Sequence, residues 1–89
     1  MATFLISYDT HYARNYDRLY TAFDKHGIGR VLESVWIGEL DNTHDQVRDW
    51  VRNLLDDDDS ILIIEMKPKH SKAWRNLPDD VVKWLKALV

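Results

Sequence analysis

The chain has no cysteine, only two prolines and three glycines in 89 residues, and no long apolar run. Without cysteine there are no disulfides and no thiolate metal sites, so folding does not require an oxidising compartment. No apolar stretch approaches the roughly 18 residues of a membrane span. Met1 to Tyr8 is too short for the core of a secretory leader and has no basic stretch ahead of it, so a cytoplasmic protein with no membrane association is expected. Positive charge is also short. Twelve Lys and Arg against fifteen Asp and Glu give a net charge of -3, which excludes a surface that is basic throughout, because non-specific nucleic-acid affinity comes mainly from neutralising phosphates. Glycine-rich phosphate loops, H-E-x-x-H, a serine-centred elbow and paired Cys/His spacings are all missing, and most enzyme classes lose their support with them.

What is present is an ordinary globular composition, 45% hydrophobic and 30% charged, in one domain covering residues 1–89. A chain of this size builds a thin core, and a partner surface would add to its stability. Thr3 to Asp9 reads as a first strand, with Phe4, Ile6 and Tyr8 on one face and Leu5 and Ser7 on the other. Tyr12, Tyr16, Leu19, Tyr20 and Phe23 recur at helical spacing, predicting a helix over about 11–26 that Gly27 closes in a left-handed cap. Val31 to Leu40 is rich in β-branched and aromatic residues and divides into two short strands meeting near Glu33 and Ser34.

Thr43 and Gln46 form a capping-box pattern that starts a second helix, whose apolar stripe is Val47, Trp50, Val51, Leu54 and Leu55. The run Asp56 to Asp59 ends it in a solvated loop. Ser60 to Met66 is a last strand. Its run Ile61 to Ile64 lacks alternation, as in a central strand covered on both faces. A basic loop follows over 67–76. Pro78, Asp79, Asp80, Lys83 and Lys86 then mark a C-terminal helix from about 77 to the end, with Val81, Leu85 and Leu88 on its apolar face. Whether it docks on its own sheet or on a partner is open at this level. The order strand, helix, strand, strand, helix, strand predicts an α+β fold: a ferredoxin-like antiparallel sheet over 3–66, with an added C-terminal helix.

The residue best placed for chemistry is Asp9, at the C-terminal end of the first strand, where α/β sheets present working groups. Capping the first helix is the alternative role. His11 could assist a proton transfer or a metal. His26, His44 and His70 show no ligand spacing. Arg14 and Arg18 lie one helical turn apart and suit a phosphate or an ion pair with Asp17 or Asp24. Lys67, Lys69, Lys72 and Arg75 fall within nine residues with no acid between them. Trp74, inside that segment, is the aromatic side chain suited to a base or a protein partner.

Three segments taken together resemble the small-subunit family of the CRISPR spacer-acquisition complex: Phe4-Leu5-Ile6-Ser7-Tyr8-Asp9, Arg14 with Arg18-Leu19, and Glu33-Ser34-Val35-Trp36-Ile37-Gly38-Glu39-Leu40. The pattern of an apolar strand ending in Tyr-Asp, a basic first helix and a Ser-Val-aromatic-x-Gly stretch extends over about residues 3 to 66. The resemblance implies a homodimer packed sheet to sheet, with Tyr8, Ser34, Trp36 and Gly38 near the interface and Asp9 of each subunit facing its mate. A shared Mg2+ held by the two Asp9 side chains would make the pair an endonuclease acting on RNA or DNA. Arg14, Arg18, Lys67, Lys69, Lys72 and Arg75 would hold phosphates. The C-terminal helix departs from the family's usual terminal strand, and the first helix is less basic. Stand-alone relatives such as virulence-associated protein D, a dimeric ribonuclease type, belong to the same comparison. A non-enzymatic interaction or scaffolding dimer, with the C-terminal helix contacting a protein partner, is the alternative.

Overall fold

The computed structural model describes residues 2–9, 16–55, 59–67 and 72–88. Its elements are β1 (Ala2–Asp9), α1 (Asp17–Lys25), β2 (Gly29–Leu32), β3 (Val35–Leu40), α2 (His44–Arg52), β4 (Ser60–Met66) and α3 (Asp79–Leu88). The strands form one sheet in the order β2-β3-β1-β4, and every pairing is antiparallel. This is the ferredoxin-like arrangement with a C-terminal helix. The segment read as two strands does turn at Glu33 and Ser34, although β2 begins two residues earlier than Val31, at Gly29.

The core follows strand alternation. Phe4, Ile6 and Tyr8 of β1 enter a buried cluster with Leu19 and Phe23 of α1 and Val47 and Val51 of α2. Both of those helices therefore cover one face of the sheet. The ends of α1 and α2 are chemically defined. Gly27, at φ 70°, lets its own N–H donate to the Asp24 carbonyl and the Ile28 N–H to the Phe23 carbonyl, satisfying two otherwise orphaned acceptors. At the start of α2, Thr43 Oγ1 accepts from the Gln46 N–H at 3.3 Å and Gln46 Oε1 accepts from the Thr43 N–H at 3.0 Å, which is the expected capping box.

α3 covers part of the opposite face, so the helix docks on its own sheet. Leu85 is buried against Ile37, with Leu5, Val31, Met66, Leu77, Trp84 and Leu88 around them. Trp84 lies so close over Gly29 that a Cβ there would sit 2.8 Å from its ring. Gly38 likewise admits Ile28, whose Cα would be 2.9 Å from an added Cβ. Close backbone approach is thus the reason for glycine at 38, and the sheet irregularity lies between Arg30 and Leu32.

One expectation is corrected. β4 is an edge strand, not a central one covered on both faces. Ile61 and Ile63 pack on the core, but Leu62 and Ile64 are 55% and 47% exposed. The topology places β1 and β3 in the middle, and Met66 is the β4 side chain that joins the α3 cluster. The uninterrupted apolar run therefore marks a strand whose outer face is left open by this subunit.

Candidate active site

Asp9 is the last residue of β1 and pairs across the ladder with Ser60, the first residue of β4. It is exposed. By alternation it lies on the α3 side of the sheet with Leu5 and Ser7, since Phe4, Ile6 and Tyr8 point into the core. Asp9 is not the N-cap of α1 as described: Tyr16 occupies that position, without a side-chain capping bond. Among the described residues, no three His, Asp or Glu form a group able to hold a metal ion. Within the described part of one chain, Asp9 is thus a carboxylate outside any metal-sized cluster at the sheet's end.

On the opposite face of the sheet, behind the end of β1, is a dense polar and aromatic cluster. The Trp36 indole Nε1–H donates to the Tyr8 hydroxyl at 3.4 Å, and the Tyr8 N–H donates to the Ser34 carbonyl at 3.3 Å. These two bonds tie β3 and the β2–β3 turn to the end of β1 one residue before Asp9. Tyr20 stacks on Trp36 with ring centroids 5.7 Å apart, and Phe23 meets Trp36 edge-on at 5.0 Å. Tyr16 joins the row between Tyr8 and Tyr20, its buried hydroxyl lacking a hydrogen-bond partner among the described residues. The guanidinium of Arg30 lies 4.7 Å from the Tyr20 ring centroid and 4.9 Å from that of Trp36, while its Nε–H donates to the Glu33 carbonyl at 3.1 Å. The two aromatic faces and the carbonyl hold this cation in place, at an exposed position.

The electrostatics follow from that packing. Burial is the main influence raising the Tyr8 phenol above its ordinary value; the Trp36 hydrogen bond opposes it and Tyr20 adds to it. For Arg30, burial works against the charge, but the neighbouring Tyr20 and Tyr8 hydroxyls favour it and the net shift is upward. The Tyr8 hydroxyl is neutral and Arg30 is charged throughout the physiological range.

Of the residues expected from sequence, Tyr8, Trp36 and Gly38 are buried in the subunit's own core, on the side covered by α1 and α2. The Tyr8 and Trp36 side chains lie on the α1/α2 face behind the end of β1, whereas Leu62 and Ile64 are exposed apolar side chains on the opposite face. Ser34 acts through its carbonyl in the β2–β3 turn. Arg18 donates to the Asn53 carbonyl at the end of α2, which joins the two helices. Lys67, Lys72 and Arg75 are exposed. His11, Arg14, Lys69 and His70 lie outside the described residues. Sequence reasoning missed Arg30. The clue was a lone cation one residue from the aromatic-rich strand pair, but its aromatic partners come from a helix and another strand, beyond the reach of local spacing.

Residues 1–73 match the family described as CRISPR associated protein Cas2. The chain belongs to this family. Membership makes it a Cas2-like CRISPR adaptation subunit, and the Tyr8-Asp9 strand end lies inside the matched span, whereas α3 lies beyond it. Neither curated proteins nor solved structures gave a match. No described helix is long and apolar enough to cross a membrane.

Proposed function

We propose that this Cas2-family subunit acts as a homodimeric, magnesium-dependent endonuclease on RNA or DNA, with Asp9 of both subunits holding the metal. The carrying observation is the exposed Asp9 carboxylate at the end of β1, engaged neither as a helix cap nor in a metal-sized cluster among the described residues of its own chain. Mg2+ binds through one or two carboxylates while keeping several waters and taking phosphate oxygens, so two Asp9 side chains fit its demands where one is a sparse set. When bound, the ion lowers the pKa of its water and neutralises charge on the scissile phosphate. Arg30, held on Tyr20 and Trp36, lies on the opposite face of the sheet from Asp9 and braces the aromatic cluster behind the end of β1. Lys67 follows the Met66 end of β4, which pairs with Thr3 at the far end of β1 from Asp9, so it lies apart from this site. The open outer face of β4, carrying Leu62 and Ile64 on the same sheet side as Asp9, supplies the apolar surface for the second subunit. Tyr8, Trp36 and the Ser34 carbonyl keep the β1 end rigid behind the site.

The interaction-module reading has less support, because Asp9 is not the N-cap of α1 and α3 is docked on its own sheet.

The direct test is cleavage of labelled single-stranded RNA and double-stranded DNA by purified protein, with magnesium, manganese or chelator, beside Asp9→Asn. Metal-dependent cleavage that Asp9→Asn abolishes at unchanged melting temperature is expected. A well-folded dimer that cleaves neither substrate at several pH values, or cleavage that survives Asp9→Asn, overturns the reading.

A further inference from the structure

A second feature lies at the end of the matched span, where the chain runs into α3. Trp74 is 39% exposed, although a large aromatic ring gains most when buried. It is surrounded by cations. The Lys86 ammonium of α3 lies 5.4 Å from the Trp74 ring centroid. Lys72 and Arg75 flank the ring in sequence and are exposed. Lys72, Trp74 and Arg75 border a groove of about 290 Å³ whose apolar floor includes Leu5, Val31 and Ile37. The groove runs from Val31 and Ile37 on β2 and β3 across Leu5 of β1 to Met66 of β4, and its lining does not include Leu62 or Ile64.

We infer that Trp74, Lys72, Arg75 and Lys86 form a platform for single-stranded nucleic acid, with an unpaired base stacked on Trp74 and adjoining phosphates held by the three cations. The inference rests on the nucleic-acid-handling reading above and adds to it a second binding surface and a preference for unpaired strands. The chemistry favours this occupant for separate reasons. Every base offers a π face to an aromatic ring, and stacking is open only to bases not already enclosed in a duplex. The apolar floor beside the ring accepts a flat, weakly polar group. Cations on the rim complement a backbone carrying one negative charge per nucleotide. A chain with a net charge of -3 that gathers three cations around one exposed tryptophan has concentrated its anion affinity there.

The test is fluorescence anisotropy with a labelled oligo-uridine strand and a duplex of equal length, in chelator and on the Asp9→Asn chain, so that binding is read without cleavage. Single strand is expected to bind more tightly than duplex. Trp74→Ala should weaken single-strand binding about tenfold or more, and Trp74→Phe should restore most of it. Lys86→Gln should reduce the salt slope by about 0.7, since one phosphate is then no longer neutralised. Because Trp74→Ala could disturb α3, a 5-bromouridine strand is also photo-crosslinked to the chain with Trp74 intact, and the adduct is expected on the peptide carrying Trp74. Unchanged binding by a folded Trp74→Ala together with an adduct elsewhere overturns the platform. Equal competition by polyglutamate also overturns it and marks the surface as a site for an acidic protein segment. Loss of cleavage with Asp9→Asn and loss of binding with Trp74→Ala are read separately, so either proposal can fail alone.

Discussion

The two faces of the sheet are built to different standards. On one, Phe4, Ile6, Leu19, Phe23, Val47 and Val51 are essentially inaccessible to water, held by two capped helices and a continuous row of aromatic rings. On the other, one helix buries Leu85 against Ile37 and leaves Leu62, Ile64 and Leu32 exposed. The closed face holds the fold together. The half-open face carries Asp9, the groove and the exposed apolar side chains, so the groups proposed for function lie where the core is thinnest.

That contrast can be broken by substitution. Phe23→Ala should cost about 3–5 kcal/mol, because it opens a cavity in the close-packed face, and urea unfolding followed by circular dichroism should show it. Leu85→Ala should cost about 2 kcal/mol, the low end for such truncations, because α3 is anchored on a smaller cluster and can settle. Equal losses at the two positions would remove the distinction between the faces.

Alkaline pH sharpens it. Burial holds the Tyr8 phenol above its ordinary value of 10.0, so the folded chain keeps that proton more firmly than the unfolded one does. The resulting stabilisation is complete below pH 10 and is lost as pH climbs through the higher folded value. Tyr8→Phe should therefore flatten the loss of stability above pH 10, measured as urea midpoints across that range. A profile identical to the parent would mean that Tyr8 does not titrate with unfolding.

The smallest effect on the single chain is expected at the open face. Leu62→Lys should alter subunit stability by no more than about 0.5 kcal/mol, as for other exposed positions, yet sedimentation analysis should show that the dimer no longer forms. A large loss of stability would mean that Leu62 is buried within one subunit.

Much of this was legible in the residues. Thr43 with Gln46, and Gly27 after a stripe of aromatic residues, specify helix ends through local hydrogen bonds, and the structure has them where spacing put them. The strand count and the order of elements were readable for the same reason. β4 was misread because an apolar run gives no sign of which neighbour covers each face; that depends on strand order and on how far α3 reaches. Asp9 stood out by its place at a strand end. Arg30 did not, because its surroundings are assembled from Tyr20 on a helix and Trp36 on the next strand. Gly29 was equally silent, since its need for glycine comes from Trp84, far along the chain.

The central claim, that two Asp9 carboxylates from a dimer share one metal, is tested most directly by the stoichiometry of magnesium or manganese binding in a calorimetric titration. The account predicts one ion per two chains, with binding abolished in Asp9→Asn and in monomeric Leu62→Lys. One ion per chain, or binding that survives either substitution, would contradict it.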